Sequence, residues 1–137
     1  MNTIINNIKK FILLFSGVLG WLLGGFDSLI YALISFVVID YVTGVLLAIH
    51  NKKLSSDIGF KGICKKVLIF TLVSMGNIID QHILSSGSAL RTMLIMFYLS
   101  NEGISIIENT TKMGLPLPHK LKSILHELKN DKLDDKL

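Results

Sequence analysis

The feature that most constrains this chain is the run from Leu29 to Ile49, LIYALISFVVIDYVTGVLLAI, 21 residues with one carboxylate near the middle. As a helix the run measures about 31 Å, the thickness of a bilayer's hydrocarbon core. Thirteen of its residues are Leu, Ile, Val or Phe. Together they favour insertion by roughly 6 kcal/mol, against about 3 kcal/mol for a central Asp. The segment therefore inserts despite Asp40. A carboxylate at that depth faces other helices or water, and is a candidate functional group for that reason.

The remainder agrees. The chain has 137 residues, is 50% hydrophobic with two prolines, and has a mean hydropathy of +0.57. This composition points to one small all-α integral membrane domain rather than a soluble core. A single cysteine, Cys64, excludes an intrachain disulfide. It reads as a small buried hydrophobe more readily than as a thiol activated by Lys65 and Lys66.

Four spans are expected, at about 8–26, 29–49, 63–83 and 89–107, with residues 1–111 forming the membrane domain and 112–137 a charged tail. The first is short but gains length if Lys9 and Lys10 snorkel to the headgroups. A cleavable signal peptide would need an A-x-A-like site; none follows, and a second spanning segment begins almost at once. The fourth span is the weakest. Its eight Leu, Ile and Phe residues offer roughly 3 to 4 kcal/mol, which Glu102 alone nearly cancels, so it needs partners over its polar side. A three-span arrangement with one end segment in the interface is the alternative.

Lysines orient the set. Lys9 and Lys10 precede the first span, and Lys52, Lys53, Lys61, Lys65 and Lys66 form a basic loop between the second and third. Six more lysines follow the fourth, whereas the other two connectors have none. The positive-inside rule then puts both termini and the basic loop in the cytoplasm.

Helical spacing puts Asp40, Thr43, Gly44 and Ala48 on one small, polar side of the second span, with Val38, Val42, Val45 and Ile49 opposite. The first span repeats small residues at Ser16, Gly20 and Gly24, a candidate helix-packing face together with Gly44 and Ala48. The fourth carries Arg91, Tyr98, Glu102, Ser105 and Asn109 on one side; the third adds Thr71, Ser74, Asn77 and Gln81. The intramembrane polar candidates are Asp40, Thr43, Asp80, Arg91, Asn101 and Glu102. They either satisfy one another inside a small bundle or line an aqueous path between subunits, and periodicity does not separate these readings. Lys66 is expected to pair with Glu102, within or between subunits, because a lone charge at that depth is costly.

No enzyme signature is present: HExxH, GxSxG and Walker-type loops are absent, and His50, His82, His119 and His126 lack metal-ligand spacing. No cofactor or metal is expected. The net charge of +4 is mostly topological lysine, so nucleic acid is not implied. In the tail, Leu121, Ile124, Leu125 and Leu128 share one side of an amphipathic helix.

Four stretches resemble the toxin-secretion/phage-lysis holins, small membrane proteins of phages and of some clostridial toxin loci. They are DYVTG (Asp40 to Gly44), GFKGICKK (Gly59 to Lys66), SNEGISIIEN (Ser100 to Asn109) and MGLPLP (Met113 to Pro118). With their spacing they cover roughly residues 36 to 125. The resemblance implies a non-enzymatic protein that oligomerises in the cytoplasmic membrane and opens lesions for an endolysin or a signal-less toxin. Its implied partners are lipid, further copies of itself, the cargo and an inhibitory antiholin. After Met1 the next methionine is Met75, so an antiholin would come from another start codon or another gene. The alternative is a small dimeric four-helix transporter or ion channel with Asp40 as its coupling carboxylate. A third class, a membrane adaptor, explains the tail but not the intramembrane charge.

Overall fold

The computed structural model describes residues 1–85, 87–121, 123, 124 and 127. Four long helices follow one another: α1 (Asn2–Leu23), α2 (Ser28–His50), α3 (Ser56–Ile79) and α4 (Ala89–Lys112). A single π-helical turn, Asp80–Leu84, extends α3. No strand occurs among the described residues.

Local chemistry sets the boundaries. α1 ends at Gly24, whose φ of 81° is a left-handed conformation that glycine adopts without strain. The Gly25 N–H then donates back to the Gly20 carbonyl at 2.7 Å. Asp27 caps α2 by accepting from the Ile30 N–H at 3.0 Å, and Ser55 caps α3 by accepting from Ile58 at 3.2 Å.

Three helices are long and apolar enough to cross a membrane: Asn2–Leu23, Ser28–His50 and the extended Ser56–Leu84. The first begins before residue 8 and stops short of Phe26. The third begins at Ser56 instead of Ile63. α4 is equally long, 24 residues, and runs past 107 to Lys112, but is not apolar enough to join that set.

The early start of α3 corrects the basic loop. Only Lys52 and Lys53 lie in the turn between α2 and α3; Lys61, Lys65 and Lys66 are on the helix itself. The Ser55 cap starts the helix, and Asp57 pairs with Lys61 one turn later at 3.0 Å. Cys64, expected to be buried, is exposed on α3. It lies two residues from Lys66, which turns into the bundle, so its own side faces outward.

α2 and α4 run in the same direction and α3 runs against both. Ile30, Leu33 and Val37 from α2, Ile69 and Val73 from α3 and Ile95 from α4 form the dry core. The Phe36 ring of α2 packs over Gly103 of α4. α1 stands apart: only Leu23, in its last turn, is buried. An apolar crevice of about 770 Å³, lined by Phe15, Leu19, Phe70 and Ile78 among others, separates it from α3. In the tail, Leu121 and Ile124 line a groove with Phe36 and Gly103. Leu125 and Leu128, the rest of the expected apolar side, lie outside the described residues.

Candidate functional site

Asp40 lies ten residues before the end of α2, Lys66 ten after the start of α3, and Glu102 ten before the end of α4. With α3 antiparallel to the other two, all three reach one level, about 15 Å from the same end of the bundle. There the Lys66 ammonium bonds both Asp40 Oδ2 and Glu102 Oε2. The side chains are 18%, 9% and 8% exposed, respectively, so the three charges meet inside the chain. The pairing of Lys66 with Glu102 thus forms within one chain, with Asp40 as a third member.

Asn109 completes the cluster. Its Nδ2 donates to Asp40 Oδ1 at 3.2 Å and to Thr43 Oγ1 at 3.1 Å, while the Thr43 hydroxyl donates to the Asp40 carbonyl at 3.0 Å. Gly44 lies beside it: a Cβ there would meet Asn109 Nδ2 at 3.7 Å, an ordinary contact, so the cluster itself does not require glycine at this position. Asn101 is half-buried on α4, next to Glu102.

A second polar cluster sits at the opposite end. Arg91 of α4 grips the Asp27 carboxylate with both terminal nitrogens, at 2.8 and 3.2 Å. The same guanidinium donates to the Gly25 carbonyl at 3.1 Å and to the Leu23 carbonyl through Nε. Asn77 of α3 adds donations to the Leu22 and Trp21 carbonyls at 3.1 and 3.4 Å. A helix's last carbonyls have no partner within the helix. Here Arg91 and Asn77 supply them, with positive charge at the negative end of the α1 dipole. The Arg91 hydrogen bonds hold the Asp27 carboxyl below the usual carboxylate range.

Asp80, fully buried, accepts from the Leu90 and Arg91 N–H groups at 3.1 and 2.8 Å. It caps the N-terminus of α4 from across the chain, a task that Ser88 does not perform with its side chain. In the single chain Asp80 is therefore a helix cap.

The small-residue face of α1 breaks into three environments. The Ser16 hydroxyl donates to its own helix at Leu13, 3.0 Å away, and Gly20 packs on Phe26. Gly24 lies outside the helix, where an added Cβ would be 2.4 Å from Asn77 Oδ1 and 2.7 Å from Arg91 Nε. Gly24 is thus required by the Arg91 cluster. Ala48 faces a cavity rather than a helix.

Three residues of these clusters were not among the candidates: Asp27, Asn77 and Asn109. The last two lay on the polar stripes. Asp27 carried only the signature of a helix cap, an Asp-Ser pair before an apolar run. Among the described residues no group of His, Cys, Asp and Glu is placed to hold a metal ion. The arrangement can neutralise and hydrate buried charge and hold helices in register.

A family model described as the bacteriophage holin family matches residues 17–130. The chain is 39% identical over 132 residues to an uncharacterized 14.9 kDa protein in the nagH 3' region of Clostridium perfringens, covering 96% of this chain and all of that one. It is 44% identical over 119 residues to the uncharacterized protein Lmo0128 of Listeria monocytogenes, covering 86% and 84% of the two chains. With the uncharacterized protein YqxH of Bacillus subtilis it shares 34% over 116 residues, 85% of this chain and 81% of that one. No solved structure matches it.

Proposed function

The chain belongs to the bacteriophage holin family, a family of non-enzymatic membrane proteins, and on that footing we propose that it oligomerises in the cytoplasmic membrane and opens lesions. The cargo is an endolysin or a toxin without a signal peptide. The family match over residues 17–130 carries this reading. Two structural features support it: α1 has almost no buried surface in the single chain, and an apolar crevice lies beside it. Such a helix must be covered by lipid or by further copies. On the same reading α4 also crosses the membrane, because its charges are matched inside the bundle, and both termini are cytoplasmic. Lipid and sister copies are the partners, with an antiholin supplied from another start codon or gene.

Release of a folded reporter protein from loaded vesicles tests this. A lesion-forming protein releases the reporter together with small dyes. Loss of small solutes alone would replace the proposal with the small channel or transporter, and retention of both would leave a membrane adaptor. Substitution at Ser28 and Ser88 with cysteine tests the topology in parallel: both should label from outside the cell. Labelling of the Ser88 position only from within would remove the α4 crossing.

A further inference from the structure

The Asp40–Lys66–Glu102 cluster divides the bundle into unlike halves. Toward the Arg91 end, Leu33, Val37, Val73 and Ile95 close the core, none more than 6% exposed. Toward the Lys52–Lys53 turn the same three helices do not close. They leave a cavity of about 340 Å³ whose walls include Gly44, Ala48, Gly62, Ser105 and Asn109. Glycines and an alanine at these positions give the room, and the three charged groups form its floor. At about 30 Å³ per liquid water, that space holds roughly ten molecules.

The charge balance supplies a second reason for water. Two carboxyl groups share one ammonium, so the cluster holds one acidic group more than its single cation can pair. Asn109 offers one hydrogen bond to it, which does not replace hydration. Ionisable groups at membrane depth are found facing other protein groups or a water-filled cavity, and this cluster faces both other protein groups and the cavity.

We propose that this cavity is a blind aqueous vestibule, open only on the side of the Lys52–Lys53 turn, which brings water and small hydrophilic cations to the Asp40–Lys66–Glu102 floor. The apolar layer beyond the floor ends the path. The vestibule belongs to the single resting chain, so it does not depend on lesion formation.

Cysteine accessibility tests it in full-length protein in sealed vesicles, with Cys64→Ala as background. Ala48→Cys and Ser105→Cys place thiols in the vestibule, Val37→Cys beyond the floor, and Leu46→Cys on the exposed apolar surface; Asn51→Cys reports which side is probed. The reagent is a membrane-impermeant methanethiosulfonate carrying a trimethylammonium group. A thiol reacts as the thiolate, which needs water, so the vestibule positions should react at least about tenfold faster than the Leu46 position. They should do so only from the side that labels Asn51→Cys, with the Val37 position silent from both. Rates no faster than at the Leu46 position, or reaction from the opposite side, would overturn the vestibule. Hydroxyl-radical footprinting gives the same answer without substitutions. Tyr41, on the vestibule wall, should be oxidised and Phe97, exposed on α4, spared; equal protection of both would also overturn it.

Discussion

The first and fourth helices are opposites. α1 has no charge from Phe11 to its end and could enter a bilayer alone, yet Leu23 is the only residue it buries in the chain. α4 carries Arg91 and Glu102 through its length, and these, with Ile95, are the residues it buries. Apolarity and burial are thus uncoupled, as expected where lipid solvates an apolar surface as well as a protein core does. What the bundle must cover is charge and unpaired backbone. α4 is held by ion pairs at two levels, whereas α1 is held through the carbonyls of its last turn.

The strongest way to break that contrast is at Lys66. Lys66→Met leaves Asp40 and Glu102 facing each other without a cation, and breaking a buried ion cluster this way costs about 3–5 kcal/mol. Unfolding in a denaturing detergent series should show a loss of that size, and proteolysis should reach α4 while α1 stays inserted. Adding Asp40→Asn and Glu102→Gln should recover most of the loss. Failure to recover would mean that the methionine packs badly, not that the charges were left unmatched.

Arg91 joins the two helices, and Arg91→Met should separate them. The Leu23 and Gly25 carbonyls and the Asp27 carboxylate all lose a donor. Hydrogen bonds to a charged group are worth about 1.5–3 kcal/mol, and a total near the upper end is expected, because Asn77 still holds Trp21 and Leu22. Spin labels on Phe15 and Ile78, across the crevice, should report a broader distance distribution. An unchanged distribution would show that the crevice walls, not the cap, hold α1.

These interactions divide by how much of them a linear chain displays. The three apolar helices were legible because hydropathy is a sum over neighbours, and the weaker apolarity of α4 was legible for the same reason. Lys66 meeting Glu102 could be foreseen from depth alone, since antiparallel helices bring equal depths together. Asp40 as a third member could not, because its rotation toward α3 depends on packing. Asp27 was hidden further: its partner lies 64 positions away, and an Asp just before a helix needs no distant partner to explain it. The Ser16–Gly20–Gly24 spacing shows a different limit. It is a helical repeat, but the helix ends before its last member.

That last member gives a smaller effect. Gly24→Ala places a side chain in a left-handed backbone, at about 1–2 kcal/mol, and drives the new Cβ against Asn77 and Arg91. Gly25 has a φ of 100° but open space around it. Gly25→Ala should therefore show the backbone cost alone, and Gly24→Ala should be the worse of the two and loosen α1 in the same spin-label measurement. Equal losses would show that Asn77 and Arg91 yield freely.

The smallest effect is a pH dependence at the Arg91 end. The Asp27 carboxyl is held below its usual range, first by hydrogen bonding to Arg91. A group whose folded value is depressed contributes stability that is complete above its unfolded value, about 3.9 for Asp. That contribution is lost as pH falls through the lower folded value, so the decline should lie below about pH 4. Its size is limited, because the Asp27 side chain is 48% exposed and solvent screens the pair; under about 1 kcal/mol is expected. Asp27→Asn keeps the Ile30 cap geometry but cannot carry the charge, so it should flatten this part of the pH profile while lowering stability slightly at neutral pH. If the parent and Asp27→Asn lose stability in parallel below pH 4, the acid sensitivity belongs to other carboxylates. Arg91 would then hold α1 chiefly through the Leu23 and Gly25 carbonyls.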